Sequence, residues 1–497
     1  MKKMILMVMI IPLLLISNKP VAAEDTTNLQ EEAIYNILVD RYNNGDPSLD
    51  GQKRIDDPYA YHGGDIKGIT KKLDEIQGLG FTTISLSPIM KNAPDGYHGY
   101  WIEDYFKVEK QFGSIEDVQT LVKEAHKRDM KVVLEFVTNY IADSHEIVND
   151  PEKADWVKEN DSQLADDFKW GDRVAVLNQD NPEVQEYLAD AAEFWMTETA
   201  IDGFKLHAAD QASDDFLEKF TASLKEIDPD FYILADILLD NDRVEDLKSI
   251  SDIDAVDNPQ LLEEMNEVFA EPDQSISSLF ENEEDGEGSM GLVSVDNQYT
   301  KRFSQNVAEN GRKAFTVWQL ALTYMYTTPG IPSIYQGSEI PMYGDGVPES
   351  QMMVLFNSGD EDIPEFLGRI SSLREEFPAL VYGDMEQVAS SGAMNVYKRT
   401  YKDETLYVAI NNGSESQSVT VAGIDSDMQL NGLLGDNLVR ETKDGEFKIG
   451  IPRETAEVYT VEENTGINWL FIGFILSVMG VFIIAVIYLS RKQKKRS

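Results

Sequence analysis

The chain has no cysteine. Disulfide frameworks, thiolate metal sites and cysteine nucleophiles are therefore excluded. Histidine is nearly as scarce, with 5 in 497 residues, and the sequence does not place the set of His and carboxylate ligands that metal-assisted hydrolysis needs. Basic residues are also short: 43 Lys and Arg stand against 89 Asp and Glu, a net charge of −46. Part of that small basic complement sits at the ends, as Lys2, Lys3, Lys19, Arg491, Lys492, Lys494, Lys495 and Arg496, so the middle is more acidic than the total suggests. Such a surface repels nucleic acid and anionic lipid and suits neutral ligands, cationic ligands and divalent cations. No internal repeat or long low-complexity tract is present. Hydrophobic residues make up 42%, enough to expect a folded chain rather than a disordered one.

The two ends carry targeting patterns. Residues 1–23 combine Lys2-Lys3, an apolar run from Met4 to Ile16, and Val21-Ala22-Ala23 before Glu24, the pattern of a secretory signal. Trp469 to Leu489 is free of charge, and its length suits a transmembrane helix. The basic residues of 490–497 beside it would stay cytoplasmic. The expectation is a single-pass protein of the cell membrane with its acidic body extracellular.

Between the ends, β-like runs alternate with helical patterns: AIYNILVDRY, TTISLSPI, KVVLEFV, GFKLHAA, FYILADIL, AVDNP, GLVSVDN and PSIYQG. Helical periodicity falls over Ile66–Gly78, Ile115–Arg128, Pro182–Thr199 and Arg312–Thr328. Eight strand–helix units predict a (β/α)8 TIM barrel, an α/β fold whose active site lies at the strand C-termini. The barrel is assigned to 24–382, with an inserted subdomain at about 141–180 after the third strand. Short alternating strands with Asn-Gly and Asp-Gly turns predict a C-terminal all-β domain over 383–462. The acidic stretch Glu281 to Gly288 reads as a solvated loop. Met352 and Met353 are expected to pack under the last barrel helices.

HGGDIKGITKKLDEIQGLGFTTISLSPI, then GYHGYWIEDYFKVEKQFGSIEDVQTLVKEAHKRDMKVVLEFVTNY, then PGIPSIYQG, in this order, resemble the α-amylase family of glycoside hydrolases. The resemblance spans roughly Ile34 to Glu462. It implies a retaining glycosidase: an Asp after strand four attacks the sugar, a Glu after strand five is acid and base, and an Asp after strand seven steadies the transition state. Two carboxyls only ~5–5.5 Å apart are needed for such a covalent route.

Residue by residue, that catalytic set does not carry over. The nucleophile's position in GFKLHAADQ holds His207, and the family's Arg two before it is Lys205. The acid/base position in YILADIL holds Asp236. The family's Asn-His-Asp run is here Asn297, Gln298 and Tyr299. Glu135 and Tyr140 stand for an Asp and a His, whereas His98 and Tyr100 match. The resemblance therefore marks His98, Tyr100, Lys205 and Gln298 as substrate-binding positions, and Trp101 as either a sugar platform or core. Neutral imidazole cannot stabilise a cationic transition state as carboxylate does, and ångström-scale retraction of Asp236 can cost about 10²-fold. A hydrolytically inactive member is expected, serving in glucan binding or protein interaction. Transporter heavy chains, which resemble amylases and partner membrane proteins, are the precedent for a membrane-protein partner. The alternative is an active α-glucan glycosidase or transglycosylase with an altered set. A new His–carboxylate pair among His207, Asp210 and Asp236 is a third arrangement.

The loop NNGDPSLDG followed by HGGD resembles the calcium loop of some secreted amylases and glucanotransferases. Asn44, Asp46, Asp50, Gly63 (through its carbonyl) and Asp65 match ligand positions, whereas Leu49 does not. Oxygen-rich turns suit a structural Ca²⁺. The family's other calcium would keep Asn139 but lose partners at Val176 and Gln211, so it is not expected.

Overall fold

The computed structural model describes residues 28–159, 164, 168–281, 290–356, 358, 362–435, 437–464 and 469–494. The expected signal segment lies outside them, as do most of the acidic stretch after Glu281 and the last three residues.

Eight parallel strands close a barrel: β1 (Ile34–Ile37), β2 (Thr83–Leu86), β3 (Lys131–Val137), β4 (Gly203–His207), β5 (Tyr232–Ala235), β6 (Ala255–Asp257), β7 (Met290–Val293) and β8 (Ile331–Tyr335). Each pairs with its sequence neighbours, and β8 closes on β1. The strands are almost wholly buried, which is why they read as near-continuous apolar runs rather than alternating ones. Gly203 opens β4 where a side chain has no room, since a Cβ would lie 2.6 Å from the Tyr232 carbonyl oxygen.

Helices cover the barrel where local chemistry starts them. Ser114 and Asp117 form a reciprocal cap for Ile115–His126, whose Val118, Leu121, Val122 and Ala125 turn to the core. Asn181 caps Pro182–Thr199, with Pro182 in the first turn. The segment expected to be one helix over Ile66–Gly78 is two, Ile66–Thr70 and Leu73–Gly78. The insertion after β3 builds a small sheet from Tyr140–Ala142, Val157–Lys158 and Val174–Leu177. Beyond Gly383, a six-stranded antiparallel sheet begins at Asp384 and a two-stranded one pairs Gln417–Val421 with Phe447–Ile451.

Two expectations are corrected. The C-terminal stretch forms a helix, Trp469–Lys494, but among the described residues no helix is long and apolar enough to cross a membrane. The transmembrane span and the cell-membrane placement are therefore withdrawn. Met352 does not pack under the barrel: it is exposed, and Val354 takes the buried place.

Candidate active site

Lys205 and His207 lie two residues apart on β4 and so share one face, while Phe204 and Leu206 join the main apolar core. Register supplies their partners. β3 sets Glu135 beside Lys205. β5 pairs Ala235 with Leu206, so the next residue, Asp236, falls beside His207. β6 pairs Val256 with Ala235, so Asp257 falls beside Asp236.

The result is a buried chain of alternating charge. His207 Nδ1 lies 2.6 Å from Glu135 Oε1 and 3.1 Å from Asp236 Oδ2. Lys205 Nζ lies 3.6 Å from Asp236 Oδ1 and 2.7 Å from Asp257 Oδ2. Burial opposes a charge on His207, but Asp236 and Glu135 outweigh it and push its pKa up to about 9. Burial likewise opposes Lys205, and Asp257, Asp236 and Glu135 hold it above the usual lysine range. Asp236, despite burial, is held below the usual carboxylate range by Lys205 and His207. Burial raises Asp257, Lys205 opposes this, and the neighbouring Asp236 adds to it, leaving a pKa of about 7. The two carboxylates beside it thus favour the imidazolium form of His207.

An aromatic layer closes the site above it. The Tyr100 ring stacks on His207 at 4.3 Å and 19°, and Tyr140 meets the imidazole edge-on at 5.7 Å. Trp170, from the insertion, packs on Tyr100, Tyr140 and His207. The Tyr100 hydroxyl is 2.5 Å from that of Tyr299 and accepts from Gln298 Nε2 at 3.0 Å. Phe168 contacts Tyr299 edge-on. His207 is 0% exposed beneath this layer. Burial holds His98 neutral, its pKa lowered to about 3. Its Nδ1 accepts the Tyr100 N–H at 3.0 Å, and its Nε2 is buried without a hydrogen-bond partner. The remaining cavity, lined by Lys205, Asp236, Asp257, Asp296, Gln298 and Tyr299 among others, holds about 40 Å³. That is room for roughly one water, against ~300–1,000 Å³ for ordinary ligand clefts. Larger clefts, of about 490 and 560 Å³, lie at the opposite barrel end beside Lys131 and Asp202 and on the C-terminal sheet beside Thr405 and Thr460.

The family positions His98, Tyr100, Lys205, His207, Asp236, Gln298 and Tyr299 thus converge, but as a packed plug. Trp101 flanks them, meeting the His98 ring edge-on at 4.7 Å and donating from its indole to the Trp170 carbonyl at 2.8 Å, with Arg173 over its ring. Asp210 does not join His207. Its oxygens accept the N–H groups of Leu238, Leu239 and Asp240 at 2.9, 3.0 and 2.9 Å, because Ala208 takes a left-handed φ of 50° and turns the chain away. Sequence reasoning missed Asp257 as a partner and Trp170 and Phe168 as covers. The signal for Asp257 was present: two cations on one inward face require carboxylates on neighbouring strands.

Among the described residues, Glu135, His207 and Asp236 bring ligand-type atoms within 4.8 Å of one another. Ligands of a tetrahedral ion with ~2.0–2.1 Å bonds stand ~3.3 Å apart, so the 2.6 Å Glu135–His207 contact is that of an ion pair. The proposed calcium ligands Asn44, Asp46, Asp50, Gly63 and Asp65 lie together in a loop braced by Lys53 and Lys67.

Comparison with known proteins places this geometry. The Alpha amylase, catalytic domain family matches residues 36–173 and 168–363, and the Alpha-amylase C-terminal domain family matches 383–459. An Anoxybacillus α-amylase structure is 38% identical with a TM-score of 0.84, aligned over 88% of this chain and 100% of that one. The Geobacillus thermoleovorans α-amylase complexed with acarbose is 38% identical with a TM-score of 0.80, over 88% and 100%. A β/α-amylase of Paenibacillus polymyxa is 28% identical over 426 residues, 80% of this chain but 35% of that protein, so the chain spans about a third of that curated relative. With its barrel, its C-terminal sheet and its ordered motifs all matched, the chain belongs to the α-amylase family of glycoside hydrolases.

Proposed function

We propose that this chain serves α-glucan metabolism as a non-hydrolytic member of its family, with oligosaccharide binding or protein interaction as its role. The observation that carries this reading is His207, at the nucleophile's position, charged, fully buried and covered by Tyr100. Double displacement needs an exposed carboxylate there. The third family carboxylate is replaced by Tyr299, which closes on Tyr100.

A second reading is an active α-glucan glycosidase or transglycosylase, and the relatives favour it more directly than the first. Those relatives are amylases, and the Geobacillus thermoleovorans structure is complexed with acarbose. Asp236 held ionised beside Asp257, whose pKa is raised to about 7, gives two carboxyls with pKa values pushed apart, as an acid–base pair requires. This route requires the Tyr100–Tyr299 contact to open.

The deciding experiment is reducing-sugar release by the purified full chain from starch and maltodextrins, with oligosaccharide binding measured in parallel. The expected result is no release above a protein-free blank. Clear release that Asp236→Asn abolishes would establish the second reading.

A further inference from the structure

The carboxylates that match the family's calcium loop are already engaged. Asp46 Oδ2 lies 2.7 Å from Lys67 Nζ, and its Oδ1 accepts from the backbone and hydroxyl of Ser48 at 3.1 and 2.6 Å. Asp50 Oδ2 lies 3.0 Å from Lys53 Nζ, and its Oδ1 accepts from Asn44 Nδ2 at 2.8 Å. Asp65 accepts three backbone N–H groups, from Gly45 at 2.8 Å, Asp46 at 2.7 Å and Gly68 at 2.7 Å. It serves as the cap of the helix Ile66–Thr70. Of the side-chain oxygens in the set, Asn44 Oδ1 is the one buried without a partner. Asp46, Asp50 and Asp65 also do not converge as a ligand triplet; among the described residues that arrangement occurs at Glu135, His207 and Asp236. Calcium takes 6–8 oxygen ligands, and this donor set as arranged does not fit it.

We infer that Lys53 and Lys67 supply, in covalent form, the positive charge that a divalent cation would bring to this loop, so that it holds its shape without calcium. Other contacts brace the loop in the same way. Lys71 Nζ donates to the Gly45 carbonyl at 2.5 Å, and Lys67 Nζ also lies 3.6 Å from Asp117. The helix backbone presses directly on the loop: a Cβ on Gly68 would fall 1.8 Å from the Asn43 carbonyl oxygen. Lysine chemistry suits the task, because an ammonium on a flexible stem can meet two separated carboxylates that a single small ion could not bridge.

Thermal unfolding of the purified full chain in EDTA and in millimolar calcium tests this. The wild-type Tm is expected to agree between the two to within about 1 °C. A combined Lys53→Met and Lys67→Met variant is expected to lose about 2 °C in both buffers. A wild-type Tm that falls in EDTA and recovers with calcium, with the recovery abolished by Asp50→Asn, overturns the inference. So does a double variant as stable as the wild type. The wild-type comparison stands on its own if the variant does not fold.

Discussion

His207 keeps a proton in the native state that it would release in the unfolded chain near neutral pH. Its folded pKa of about 9 lies above the usual histidine value of 6.5, so the native state binds more protons between those values. The stabilisation is fully present below about pH 6.5 and is lost as pH rises through about 9, at about 1.4 kcal/mol per pH unit at most. Asp257, raised from 3.8 to about 7, acts in the same direction over its own lower window. Tm measured from pH 6 to about pH 9.5 is therefore expected to decline, and His207→Gln to flatten the upper limb. Glu135→Gln removes one carboxylate from a buried imidazolium and is expected to cost about 3–5 kcal/mol in urea unfolding. His207→Asp sets a further carboxylate among Glu135, Asp236 and Asp257. It is expected to destabilise by a similar amount and to restore no hydrolysis, since Tyr299 and the shortened Asp236 remain.

Barrel elements were legible in the sequence because parallel strands buried on both faces give apolar runs, and because Asn181-Pro182 and Ser114 mark helix starts. That Lys205, His207 and Asp236 fall at strand ends was legible too, since each sits in a short motif there. What was not legible depended on register and path. Asp257 meets Lys205 only through two successive strand pairings. Trp170 reaches the barrel mouth from a polar insertion without useful periodicity. Asp210, near His207 in sequence, is carried off by the left-handed turn at Ala208 and ties the β4 loop to the β5 loop instead. Asp210→Ala therefore leaves three N–H groups without their acceptor. It is expected to cost about 2–3 kcal/mol by equilibrium unfolding while leaving the alkaline limb from His207 in place.

At the scale of the whole molecule, net charge of −46 opposes compaction through self-repulsion, and salt screens it. Tm is expected to rise by several degrees between about 10 mM and about 0.2 M sodium chloride, although individual surface ion pairs weaken over that range. The barrel and C-terminal sheet are joined by buried polar contacts. Arg312 bonds Glu454 at 2.9 Å and Asn412 at 2.8 Å while also holding the Phe269 carbonyl. Arg399 donates to the carbonyls of Thr327 and Gly383. Leu406, Val408, Ile410 and Val458 of the sheet belong to the same apolar cluster as Leu320 and Tyr324 of the barrel helix Ala314–Thr327. A chain break or splice near residue 383 would strip that cluster from both sides at once. To a recombination event, or to a gene designer seeking interchangeable parts, barrel and sheet count as one cassette.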